Sequence, residues 1–118
     1  MYIDGFVVPV HSDKIEAYRA LSEAFLSVCM EHGALTAVEA MGDDVPDGVH
    51  TSFPMAVKAQ PGEVVIFSFV TYRDRADRDA VTAAAMADPR MAAMPTDVFD
   101  GKPMIWGGFV PIVTKGMA

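Results

Sequence analysis

The 118 residues and 12.7 kDa of the chain correspond to one domain, 1–118, at the usual ~150 residues per domain. With 52% hydrophobic and 21% charged residues, it carries enough apolar side chain for a packed core and too much for a disordered chain. Nine Lys and Arg stand against 16 Asp and Glu, net −7, and no two basic residues are adjacent, which excludes nucleic acid and anionic membrane surfaces as partners.

Tyr2 to Val10 is apolar, aromatic and β-branched, interrupted only by Asp4 and Gly5, and reads as a strand. Ser12 or Asp13 then offers an N-cap oxygen, with Glu16 placed after Asp13 as in a capping box. Ile15, Tyr18, Ser22, Phe25 and Cys29 follow at helical spacing, with Leu21 and Val28 on the flank, and Gly33 is a natural stop. Leu35 to Met41 alternates weakly and predicts a second strand, whose odd member is Glu39. Gly42 to Pro54 has loop chemistry, and Met55 to Ala59 reads as a short extended segment before the Pro61-Gly62 turn. Val64 to Tyr72 is the strongest strand signal. Asp74 can cap a helix running to about Ala87, and Asp88-Pro89 can open a short one over Arg90 to Met94. After a turn at Asp100-Gly101, Lys102 to Val113 reads as a last strand and Thr114 to Ala118 as a frayed tail.

The order strand, helix, strand, strand, helix, strand predicts an α+β fold, a ferredoxin-like βαββαβ sandwich with one antiparallel sheet and two main helices on one face. Gly5 to Val10 resembles Gly108 to Val113, which suggests internal pseudo-symmetry. The sheet face away from the helices is too apolar to stand in water, so a homodimer pairing two sheets is expected. Cys29, alone and on the helical stripe, should be an inert packing thiol in a reducing, cytoplasmic setting. The longest apolar run, Val64 to Val70 with Ser68 inside it, is far shorter than the ~20 residues of a membrane helix.

The three histidines fall on different elements, so no metal site is signalled, and no cofactor motif stands out. His32 suits a helix C-terminus, whereas His50, in a loop beside Thr51 and Ser52, is a candidate acid or base. Asp43 to Gly48 superficially resembles a calcium loop, but Val45 and Pro54 stand where oxygen ligands are required. Polar groups inside apolar strands are more informative: Asp4, Glu39 and Ser68 must be solvated, paired or protonated. Alternation puts Ile66, Ser68, Val70 and Tyr72 on one sheet face and Val65, Phe67 and Phe69 on the other, which looks like core. A cavity lined by Asp4, Glu39, Ser68, Tyr72 and Trp106 follows from that alternation, with Phe6 a further wall residue. The plainer reading pairs Asp4 and Glu39 with arginines such as Arg73, Arg75 or Arg78. Met86, Met91, Met94 and Met104 suit either a pocket for a flat apolar ligand or an ordinary core.

Seven blocks resemble the YbaA-like family, domain-of-unknown-function family 1428: Asp4 to Val10, Gly33 to Leu35, Asp43 to Gly48, Thr51 to Pro54, Ala56 to Ala59, Asp88 to Met91 and Phe99 to Lys102. The resemblance covers nearly the whole chain and implies a dimeric α/β barrel. It departs at Val98, where proline is usual, at Pro103, where arginine is usual, and at Trp106, where tyrosine is common. That superfamily implies a cavity between sheet and helices. Its members include cofactor-free monooxygenases of ring substrates, isomerases and haem-degrading enzymes, and the last class needs an asparagine that this chain lacks.

Three functions are therefore expected, the last a structural dimer that partners another protein through an apolar patch outside the two-fold interface. The first is a homodimeric, cofactor-free cavity enzyme that moves a proton on, or oxygenates, a small aromatic or unsaturated ring, with Asp4 and Glu39 as acid and base, Tyr72, Ser68 and His50 orienting, and Trp106 as apolar wall. Asp4→Asn should then abolish turnover at unchanged melting temperature, whereas a large loss of stability would mark Asp4 as structural. The second is a non-catalytic or stress-associated barrel that binds a small apolar ligand and releases it unchanged.

Overall fold

A run of mostly apolar, aromatic and β-branched residues, broken by Asp4, Gly5 and Pro9, forms the first strand, β1 (Tyr2–His11), of a computed structural model that describes residues 1–116. β2 (Thr36–Met41), β3 (Glu63–Tyr72) and β4 (Ile105–Phe109) complete one sheet in the order β2-β3-β1-β4, every neighbouring pair antiparallel. The helices are α1 (Ile15–Glu31), α2 (Phe53–Ala56), α3 (Arg75–Ala87) and α4 (Pro89–Ala92). The fold is α+β and ferredoxin-like, as the sequence pattern predicts. No helix among the described residues is long and apolar enough to cross a membrane.

Side-chain alternation sorts the sheet into two faces. Tyr2, Val70 and Tyr72 meet Val28 and Cys29 of α1 and Val81 and Ala85 of α3, so both long helices cover one face. Further along that face Val8, Val10 and Ile66 pack with Tyr18 of α1 and with Val98. Cys29 is free and buried there, in line with a packing role. The core is therefore the Ile66, Ser68, Val70, Tyr72 face and not the Val65, Phe67, Phe69 face, because the helices dock on the former; Phe67 is 46% exposed. On the opposite face the chain between β2 and β3 places its fully buried Val57 against Val7 and Val65.

Local rules place most boundaries. The Asp74 carboxylate accepts from the Asp77 amide at 2.7 Å and opens α3, and Asp88 accepts from the Arg90 amide at 3.0 Å and opens α4. α4 covers Pro89–Ala92, a little earlier than Arg90 to Met94, because proline occupies its first turn. Gly33, at φ 122°, ends α1 in a conformation that a side chain would strain.

Four further expectations are corrected. The start of α1 is not a capping box: Ser12–Lys14 form a single 3-10 turn in which the His11 ring accepts from the Asp13 amide at 3.2 Å, and α1 itself has no side-chain cap. Met55 to Ala59 is not extended, because the Ser52 hydroxyl accepts from the Met55 amide and Pro54 stands in the first turn, nucleating α2. The last strand is β4 alone: Lys102 and Pro103 belong to the turn closed by Met104 N–H on Gly101 C=O, and Pro111 has no amide to donate to a ladder. The similarity of Gly5–Val10 to Gly108–Val113 is not a fold repeat, since the pseudo-two-fold of this strand order exchanges β1 with β3, whereas β1 and β4 are ladder neighbours. Of the tail expected to fray, Met117 and Ala118 lie outside the described residues.

Candidate active site

The ladder registers bring polar residues of three strands onto the helix-covered face. Glu39 lies opposite Ser68, Ser68 opposite Phe6, and Phe6 opposite Trp106, making one row across all four strands. Asp4 belongs to the next row, with Val70 and Ala37 on one side and Gly108 on the other. Asp4 and Glu39 therefore share a face but stand on β1 and β2, two strand spacings or ~10 Å apart and ~7 Å offset along the strands.

An apolar cavity of about 330 Å³ lies between the sheet and α1. Its floor is Phe6, Val8 and Val70, and its roof is Leu21, Phe25 and Leu26 of α1. Met86 of α3, with Phe99 and Met104, lines the remaining side and leaves the cavity partly open to solvent. The polar members are Tyr18, Ser22, Glu39 and Ser68. Among the methionines singled out in the sequence, Met86 and Met104 line the cavity, whereas Met91 and Met94 pack against the core.

The Tyr18 hydroxyl donates to Glu39 Oε2 at 2.8 Å, joining α1 to β2. Burial pushes the Glu39 carboxyl above its usual range, and the Tyr18 hydroxyl only partly offsets this. The Tyr18 phenol is itself pushed up by burial and by the facing carboxylate. Ser22 Oγ is buried and closes no hydrogen bond of its own. Glu39 can thus hold or release a proton nearer neutrality than an exposed carboxylate, against an apolar wall.

Asp4 occupies a separate cluster. Arg78 of α3 approaches Asp4 Oδ1 at 3.7 Å, donates to the Tyr2 hydroxyl at 3.0 Å and covers the Tyr2 ring with its guanidinium carbon 4.9 Å from the centroid. Burial raises the Asp4 carboxyl, opposed by the Arg78 charge and the Tyr72 hydroxyl, while Tyr72 is pushed up to about 12 chiefly by burial. A Cβ at Gly108 would run into the Tyr2 hydroxyl and sit 2.8 Å from Arg78, so any side chain there would oblige Tyr2 and Arg78 to shift.

Of the residues singled out by sequence, Glu39, Ser68 and Phe6 come together on the cavity wall. Asp4 and Tyr72 lie with Arg78, one of the arginines named as a partner. His50 is exposed in the β2–β3 chain segment, away from the cavity lining, and Trp106 is 63% exposed on the edge strand. Sequence reasoning missed Tyr18 and Ser22 as site residues. The signal was present, since both interrupt the apolar stripe of α1 with hydroxyls one turn apart.

Residues 1–101 match the family described as Protein of unknown function (DUF1428). The chain belongs to the DUF1428 family. It is 47% identical over 115 residues to "Uncharacterized protein YbaA" of Escherichia coli, an alignment covering 97% of this chain and 98% of that protein, and the Shigella flexneri protein of the same name gives the same values. The solved structure of Rv0793 from Mycobacterium tuberculosis superposes with a TM-score of 0.55 at 16% identity, covering 99% of this chain and all of that one. That likeness supports the ferredoxin-like, barrel-type fold of this DUF1428 member and concerns the fold alone.

Proposed function

We propose that this protein binds a small, apolar, ring-bearing molecule in the cavity beneath α1 and moves a proton on it, with Glu39 as proton acceptor and donor. The observation that carries this reading is the Tyr18–Glu39 pair at 2.8 Å on the wall of an otherwise apolar cavity. An apolar cavity of about 150 Å³ holds benzene; one of 330 Å³ therefore suits a fused bicyclic ring. Glu39 would remove a proton from a carbon made acidic by a neighbouring carbonyl and return one to the same framework, so that atoms balance without a cofactor. Ser68 and Phe6 would orient the ring from the floor. Asp4 and Tyr72 serve instead to hold Arg78 and α3.

The protein acts as a homodimer in this reading. Val38, Phe67, Ile105 and Phe109 share the face away from the helices and are each at least 42% exposed, a patch that a second sheet would cover. The free, buried Cys29 suits a cytoplasmic setting.

The test is proton exchange on tetralone, a fused ring ketone, in deuterated water, followed by NMR. Wild type should accelerate deuteration beside the carbonyl and Glu39→Gln should not. Rates equal to buffer in both would remove the catalytic step and leave non-catalytic ligand binding, for which native mass spectra would show a passenger lost on denaturation.

A further inference from the structure

Glu39 faces two cavities. Besides the inner one, a cleft of about 390 Å³ opens between α1 and the β2 side of the sheet, and the two share Tyr18, Ser22, Leu26 and Glu39. The Tyr18–Glu39 hydrogen bond is thus a partition, and opening it would join the apolar cavity to a second, mostly apolar cleft that also carries charged side chains. The outer cleft adds Arg19 and Glu23 to its lining. Arg19 is engaged by Glu16 at 3.4 Å and its side chain is 70% exposed, so the charge offered to a ligand is that of Glu23 and Glu39. An independent observation points the same way. Ser22 is only 7% exposed, lines both chambers, and its Oγ is buried without a hydrogen-bond partner, a state that buried hydroxyls rarely keep without a ligand or water to satisfy them.

The geometry points to the outer cleft as a subsite for a primary ammonium, so that the ligand is an amphiphilic amine whose ring occupies the inner cavity and whose head group reaches Glu39, Ser22 and Glu23. A primary ammonium has three N–H donors and no acceptor, and this wall presents two carboxylates and one unused hydroxyl. A carboxylate head would meet two like charges and one arginine already shared. The head group displaces the Tyr18 hydroxyl from Glu39, which converts the partition into a passage. This rests on the cavity reading above and adds the chemical class of the ligand.

Three probes with one ring and different heads test it: naphthylmethylammonium, methylnaphthalene and naphthylacetate, each titrated by naphthalene fluorescence. The ammonium should bind about tenfold to a hundredfold tighter than the methyl compound, the gain expected of charge-assisted hydrogen bonds. Glu39→Gln should abolish that preference while retaining methylnaphthalene, and Glu23→Gln, an exposed change that leaves the core untouched, should reduce it. Tightest binding of naphthylacetate would overturn the proposal, as would equal binding of all three, which would leave the apolar cavity intact as a ring site. Failure of every probe to bind would overturn the cavity reading as well.

Discussion

At the scale of single residues, Tyr18 and Glu39 stabilise each other conditionally. Tyr18→Phe removes the donor from a carboxylate that burial already disfavours, and should cost about 1–3 kcal/mol in chemical denaturation, the usual penalty for orphaning a buried polar group. Glu39→Gln should cost less, because a neutral amide needs less solvation. The sign of the pH dependence follows from the raised Glu39 carboxyl. Its folded form binds protons more readily than the unfolded chain, so this group favours folding at pH below the unfolded value of 4.5 and subtracts stability as pH rises through the folded value. Wild type minus Glu39→Gln should therefore show a stability difference that turns against wild type as pH rises from 4.5, measurable by urea melts. Asp4→Asn tests the other cluster: we expect a loss of about 1–3 kcal/mol with ring binding intact, because Arg78 would lose its buried counter-charge. Unchanged stability with lost turnover would instead return Asp4 to the reaction. The polar anomalies at Asp4, Glu39 and Ser68 were legible in the sequence because a charge inside a strand stands out against its neighbours. Their division into two clusters was not, since it depends on strand order, and β3 separates β2 from β1.

At the scale of elements, β4 is the least independent part of the sheet, joined along one edge to β1 over five residue pairs. Its position depends on Gly108 passing beneath Tyr2 and Arg78. Gly108→Ala should force that cluster apart and destabilise by about 1–3 kcal/mol, as overpacking does, with hydrogen exchange rising first in β4. Proton-exchange NMR on the variant checks it, and unchanged protection in β4 would refute the steric account. Elements with a strong period or a capping aspartate, α1, α3 and β3, were readable because pattern and local chemistry agree. α2 was not: Met55 to Ala59 is short and apolar, a composition that strand and helix share, and the deciding Ser52 hydroxyl lies outside the segment. The inversion of core and open face had a similar cause. Both faces of β3 are apolar, and only the docking of α1 and α3 distinguishes them.

At the scale of the whole molecule, the unanswered load is the open sheet face. α2 and Val57 shelter Val7 and Val65 at one end, but Phe67 remains 46% exposed on β3, and Phe53 and Phe109 remain 49% and 60% exposed. Phe67 already makes edge-on contacts with Phe53 and Phe69, so the patch is ordered before any partner arrives. In a two-fold dimer each residue of the interface occurs twice. Burying the exposed half of two Phe67 side chains is worth about 1.5–3 kcal/mol, which is roughly tenfold to a hundredfold in the dissociation constant. Phe67→Arg should forfeit that and place two like charges across the axis, shifting the species seen by analytical ultracentrifugation from dimer to monomer. The melting curve of the monomer should stay cooperative, because Phe67 takes no part in the helix-covered core. Ring binding supplies the decisive companion measurement. The cavity is walled by one chain alone, so a Phe67→Arg monomer that still binds methylnaphthalene would separate assembly from site, and a wild type that sediments as a monomer would remove the barrel while leaving the cavity standing.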